Sequence, residues 1–182
     1  MEFYTKPDME KNSMRYDTYE TKEQVAQLRF YRREHDAALR AFELPEEQAK
    51  FTALPDEVLE ASLNDENQYP VVILAGDTPV GFFILHRSET TASLSDNPNA
   101  ILLRAFSVNH AEQGRGYAKR GMQNVAAFVA EHLPGVEEIV LAVNERNFAA
   151  KRLYEAVGFR DTGRKRQGPI GMQHILSLSL EQ

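Results

Sequence analysis

The chain contains no cysteine. Disulfides, thiolate metal sites and a cysteine nucleophile are thereby excluded, and the lack fits a cytosolic location. No apolar run approaches the roughly 20 residues of a membrane span. The opening residues, Met1-Glu2-Phe3-Tyr4-Thr5-Lys6-Pro7-Asp8, carry no apolar leader stretch, so a cytoplasmic location without a membrane partner is expected. The five histidines are scattered and form no H-x-x-x-H, so no metal site is expected. G-x-S-x-G is also absent, which argues against a serine hydrolase. There is no repeat and no low-complexity tract. An excess of basic charge is missing too: 21 Lys and Arg stand against 27 Asp and Glu, and the net charge of −6 argues against nucleic-acid binding.

What is present is ordinary for a globular protein. The chain has 182 residues, 42% hydrophobic and 26% charged. That length suits one domain with a sizeable core. Residues 1–13 read as a flexible polar tail and 14–182 as a single domain. Alternation over 14–20 predicts a first strand. Thr21 reads as an N-cap with Gln24 as capping-box partner, opening a helix to about residue 42. Pro45 and Pro55 can each start a short helix, the second covering 56–63. Residues 69–75 and 80–86 read as strands joined by the turn Gly76-Asp77-Thr78-Pro79. A polar loop over 88–99 leads to a strand over 101–108. An amphipathic helix over 118–133 is ended by Leu133-Pro134-Gly135. Then come a strand over 139–143, a helix over 147–157 closed by Gly158, a strand from Phe159, a turn over 168–171 and a last strand over 174–180. This order predicts a mixed α/β sheet with helices on both faces.

The most informative stretch is Gln113-Gly114-Arg115-Gly116-Tyr117-Ala118, between a strand and a helix. Two glycines there let backbone N–H groups turn inward and approach a ligand closely. A helix start adds unpaired N–H donors and partial positive charge. The combination suits phosphate held by main chain. It is not G-x-G-x-x-G, and the next strand offers no ribose-binding acid, so a dinucleotide site is disfavoured. Asn144-Glu145-Arg146-Asn147 follows a strand, where asparagine favours turns and helix N-caps. Leu153-Tyr154-Glu155-Ala156-Val157-Gly158-Phe159 closes the next helix.

These three stretches, in this order, resemble the GNAT superfamily of acyl-CoA-dependent N-acetyltransferases. The resemblance is firmest over 101–159 and extends through element order to 14–180. It implies a largely antiparallel twisted sheet of about six to seven strands, with a splayed central pair and helices on both faces. It implies acetyl-CoA as co-substrate, with Gln113, Gly114, Arg115, Gly116, Tyr117 and Ala118 at the pyrophosphate. Arg115 and Lys119 would add charge near the adenosine 3′-phosphate. The backbone at Phe106 and Val108 would pair with the pantetheine arm and leave an amide to polarise the thioester carbonyl. Asn144 or Asn147 would contact that arm, alongside or instead of capping. Tyr154 occupies the position of a general acid that protonates the departing thiolate, the alternative being a core aromatic.

The strand over 101–108 departs from the relatives that carry a glutamate there: it has no Asp or Glu. The base that takes the amine proton is then one of His86, His110, Glu112 and His174, or a water. Arg104 in that strand reaches either an acceptor pocket or a surface edge. The resemblance implies direct attack by the amine, and the lack of cysteine fits that. The acceptor expected is a small-molecule primary amine. Ten acidic residues over 34–66 against Arg40 and Lys50 favour a cationic one, such as a polyamine, an aminoglycoside-like compound or an amino-acid derivative. A peptide or protein amine is an alternative, as is a non-catalytic acyl-CoA sensor. A homodimer is common among such folds, with no interface specified by the sequence.

Overall fold

The structure, a computed structural model, describes residues 25–180. The strand expected over 14–20 and the Thr21–Gln24 cap lie outside these residues. The first described element is a strand, β1 (Ala26–Phe30), where a helix was expected. Ala26, Leu28 and Phe30 turn toward the core while Gln27 and Arg29 are exposed. That period of two decides against a helix once a neighbouring strand can take up the backbone hydrogen bonds. The helical part of this region shrinks to a 3-10 turn at Arg33–His35 and α1 (Asp36–Arg40).

Two short helices follow, α2 (Glu46–Ala49) and α3 (Pro55–Leu63), each opened by its proline as expected. The hairpin β2 (Gln68–Ala75) and β3 (Thr78–His86) comes next. The presumed loop over 88–99 contains a helix, α4 (Glu89–Leu94), because Thr91 and Leu94 find burial against the sheet. Then come β4 (Ala100–Val108), α5 (Tyr117–Gln123), α6 (Val125–His132), β5 (Glu138–Asn144), α7 (Phe148–Ala156), β6 (Arg160–Gly168) and β7 (Gly171–Ser179). The single helix expected over 118–133 is broken at Asn124, whose side-chain amide donates both to the Arg120 carbonyl and to the Ala26 carbonyl of β1. Among the described residues no helix is long and apolar enough to cross a membrane.

The seven strands form one sheet in the order β1-β2-β3-β4-β5-β7-β6. All neighbours are antiparallel except β4 and β5, which run parallel. That one pair holds together only at Ala100–Glu138, Ile101–Ile139 and Leu102–Val140, then diverges. The divergence coincides with a bulge in β4 at Ala105, the one non-glycine residue with positive φ among those described (54°). A bulge bends its strand and re-aims side chains, a device common beside active sites.

Cross-strand partners share a face of the sheet, so the register sorts the molecule into two sides. Helices α5, α6 and α7 pack on one face through Tyr117, Met122, Val125, Phe128 and Tyr154. Gly121 of α5 and Gly81 of β3 bring this layer close: a Cβ at either would stand 2.7 Å and 2.8 Å from Ile73 Cδ1. Helices α1 and α3 cover the opposite face with Leu39 and Leu59 against Val72, Leu74, Phe82 and Ile84. Helix α4 continues that layer through Leu94 over Leu102, Val140 and Ile175.

His35 at the start of α1 is 4% exposed, and its Nδ1 accepts the Arg32 N–H at 3.1 Å. Burial holds its pKa below the ordinary value of 6.5, outweighing the nearby Glu34 carboxylate. The unfolded chain therefore binds this proton at a higher pH than the folded one. Folding stability is expected to be full above about pH 6.5 and to fall as the pH drops from there through the folded pKa. Urea midpoints measured from pH 7.5 to 5 check this, and part of the slope should vanish in His35→Gln.

Candidate active site

The split between β4 and β5 opens a cleft of 770 Å³. Its walls come from both faces of the sheet. On the α5–α7 side lie the glycine loop, Tyr117, Ala118, Lys119, Asn147, Ala150, Leu153 and Tyr154. On the other side lie Leu44, Gln48, Phe51, Thr52 and Ala53 from the segment around α2, with Arg104, Arg166 and Gln173 from the strands. The cleft thus passes through the sheet where β4 and β5 diverge.

The glycine loop has the geometry its sequence calls for. Gly114 and Gly116 have φ of 78° and 80°, and Gly116 is the N-cap of α5. A Cβ on Gly114 would meet nothing within 4 Å, and one on Gly116 would meet the guanidinium of Arg120 at 3.0 Å. Gly114 is therefore open to an incoming ligand, while the space beside Gly116 is taken by the Arg120 guanidinium. Arg120 in turn donates to the Arg115 carbonyl at 2.5 Å and stands over the Tyr117 ring, bracing the loop from behind. Gln113, Gly114, Gly116, Tyr117, Ala118 and Lys119 all line the cleft. Arg115 is set apart from them: its exposed side chain pairs with Glu112 at 3.1 Å and does not line the cleft. Three residues of separation put that carboxylate within reach before any ligand arrives.

Phe106 and Val108 present main chain to the cleft. Asn109 N–H donates to the Val80 carbonyl, and the antiparallel ladder alternates, so the polar groups of Val108 point away from β3. The Val108 carbonyl accepts Gln113 Nε2 at 2.9 Å, and the Phe106 carbonyl accepts Thr52 Oγ1 at 3.1 Å. Both partners are side chains that can turn aside.

Asn144 and Asn147 line the cleft and are also structural. Asn144 is buried, accepts the Arg146 N–H at 2.9 Å and reaches the Ile170 carbonyl in the β6–β7 turn. Asn147 caps α7 by accepting the Ala150 N–H at 3.3 Å. Tyr154 is 7% exposed, wedged between the rings of Phe106 and Phe159 with its edge on the cleft. Burial alone pushes its phenol well above the ordinary value, with no hydrogen bond contributing. The hydroxyl is therefore a protonated donor throughout the physiological range.

The four base candidates separate. His86 is tied to Arg104 at 3.4 Å and lies 3.8 Å from Asp65, with burial lowering its pKa. His174 lies 3.5 Å from Asp161, and His110 is exposed; none of these three histidines lines the cleft. Glu112 does line it, but it is paired with Arg115 at the mouth. The acidic residues over 34–66 do not line the cleft, where that segment contributes only neutral side chains. Asp36 and Asp56 are instead bridged by Arg40, at 2.9 Å each. Sequence reasoning left Arg104 undecided and passed over Arg166, Gln173 and Thr52; the basic run over 160–166 was the one available signal.

The chain matches the model of the Acetyltransferase (GNAT) family over residues 35–159. It is 51% identical over 150 residues to the uncharacterised N-acetyltransferase YbbJ of Bacillus subtilis (strain 168), covering 82% of this chain and 94% of that one. Its fold is similar to the aminoglycoside acetyltransferase AAC(6')-Ib solved with coenzyme A and kanamycin: TM-score 0.69, 17% identity, 85% of this chain and 95% of that one. It is likewise similar to spermidine N-acetyltransferase from Vibrio cholerae solved with CoA and spermine: TM-score 0.65, 16% identity, 85% and 95% coverage. The ordered motifs, the splayed sheet and a family match across most of the described residues agree, and this chain belongs to the GNAT family of acetyltransferases.

Proposed function

We propose that this protein transfers an acetyl group from acetyl-CoA to the primary amine of a small molecule by direct attack. The observation that carries the reading is that the glycine loop, the β4 edge and Tyr154 open onto one cleft where the sheet splits. The loop at Gly114 and Gly116 offers main-chain N–H groups to a pyrophosphate, and the open space beside Gly114 fits phosphate oxygens. Lys119, in the first turn of α5, adds positive charge on the same side. The edge of β4 beyond Leu102 pairs with the pantetheine arm in place of a strand, Thr52 and Gln113 turning away from its carbonyls. Asn144 and Asn147 border the same arm from β5 and α7.

The amine enters from the α2 side and meets the thioester at the bulge. Holding the two reactants together supplies much of the rate. A main-chain amide of the β4 edge polarises the carbonyl. The tetrahedral intermediate collapses with cleavage of the C–S bond, and Tyr154 gives its proton to the sulfur. Water carries the amine proton out, since no histidine or unpaired carboxylate among the described residues lines the cleft. The test is release of free thiol from acetyl-CoA on addition of a panel of primary amines. Amine-dependent release is expected; binding of acetyl-CoA without release to any amine would support the sensor alternative instead.

A further inference from the structure

On the reading that the α2 side of the cleft receives the acceptor, we propose that the amine carries a carboxylate and that Arg104 and Arg166 bind it. The charged residues lining the cleft are Arg104, Arg166, Lys119 and Glu112. Lys119 belongs to the cofactor side, and Glu112 is neutralised by Arg115 at the mouth. That leaves two guanidinium groups on the acceptor side and no carboxylate beside them.

The register places both arginines on the same face of the sheet. Arg104 pairs with Ile84, which packs under α1 and α3. Arg166 pairs with Gln173, and Gln173 with Asn144, in a row that crosses β6, β7 and β5 at the level of the cleft. Arg104 therefore stands on one lip of the split and Arg166 beyond the other. Their partners are neutral. Arg104 donates to Gln68 Oε1 at 2.5 Å and to His86 Nδ1 at 3.4 Å, and Arg166 donates its Nε to Gln173 Oε1 at 2.8 Å. Among the described residues neither forms an ion pair. Both are partly buried, and burial works against the Arg104 charge with only Asp65 opposing it from further off.

A partly buried guanidinium without an anion is an incomplete arrangement. Where the surface provides carboxylates, this chain uses them: Arg40 takes Asp36 and Asp56, and Arg164 takes Asp96. In the cleft the partners are amide oxygens from Gln68 and Gln173, which orient the planar forks and leave their remaining N–H groups for a ligand. A carboxylate matches that fork geometry. The same two charges repel a polyamine, whose second ammonium would sit where the carboxylate belongs. The acceptor is thus an amino acid or a close derivative.

The experiment compares the common α-amino acids with their decarboxylated amines, for example lysine with cadaverine and phenylalanine with phenethylamine. Wild type, Arg104→Gln, Arg166→Gln and Arg166→Lys are assayed by thiol release, and acetyl-CoA binding is followed by calorimetry. At least one amino acid should be acetylated with kcat/KM about 10-fold or more above its decarboxylated partner. Each glutamine variant should lose about 10-fold on the amino acid, chiefly in KM, leave acetyl-CoA binding unchanged, and act on the plain amine no worse than wild type, cadaverine improving once a repelling charge is gone. Arg166→Lys should recover part of the preference, and Arg166, on the outer hairpin, keeps the test alive should Arg104→Gln fail to fold. Acetylation of amines alone, or equal losses on both members of a pair, would overturn the proposal while leaving the acetyltransferase reading intact. Wild-type protein that does not bind acetyl-CoA would overturn both.

Discussion

Gly116→Trp should weaken acetyl-CoA binding at least about 100-fold, roughly 2.8 kcal/mol, and leave the fold intact. Gly116 sits at the N-cap of α5 with φ of 80°. A side chain there costs about 1–2 kcal/mol of backbone strain. Its Cβ would meet only the tip of Arg120, which can swing out. The steric cost to the fold is therefore small, and the larger effect falls on the ligand, because an indole displaces the guanidinium that holds the Arg115 carbonyl and so disturbs the loop whose N–H groups would face the pyrophosphate. Strain and blockage can be told apart by a matched control. Gly135 has φ of 84°, a Cβ there would meet nothing within 4 Å, and it lies in the turn after α6, outside the cleft. Gly135→Trp carries the same backbone penalty and should bind acetyl-CoA as wild type does. Calorimetry on the three proteins decides the matter: equal binding by Gly116→Trp and wild type would show that the pyrophosphate lies elsewhere.

The features legible in the sequence share one property: each is written within a few consecutive residues. The glycine loop, the Asn147 cap and Leu153-Tyr154 are local patterns, and the structure brings all three to one cleft. What stayed hidden depends on partners distant in sequence. Residues 26–30 fit both periods, and pairing with β2 resolved the choice. The burial of Thr91 and Leu94 in α4 depends on the sheet beneath them. Arg166 reads as one of the four basic residues within 160–166 until the β6–β7 register sets it beside Gln173 and in line with Asn144. Arg115 shows the converse, a local pair: its side chain meets Glu112 three residues earlier. For the acidic run, charge counted along the segment does not tell which side chains face the cleft, and here Leu44, Gln48, Phe51, Thr52 and Ala53 do.

Tyr154→Phe should lower kcat about 100-fold or more with little change in KM or in acetyl-CoA affinity. The change removes one oxygen and keeps the ring, so the contacts with Phe106 at 6.0 Å and Phe159 at 5.6 Å between centroids persist. Stability should therefore move little, which separates this variant from a cavity-forming one. Loss in kcat and in kcat/KM by the same factor is the signature of an interaction made only in the transition state. The pH profile adds a second check. Burial raises the phenol above its ordinary value of 10.0, and the acid form is the one that protonates the thiolate. The acid is therefore fully present below the raised value, and wild-type kcat should show no loss from this group up to about pH 10. The acidic limb, which reports deprotonation of the bound amine through water, should lie at the same pH in the variant, because Tyr154 plays no part in that step. A variant with full kcat would reduce Tyr154 to a core aromatic. The thiolate would then leave unassisted, or be protonated by water in the cleft.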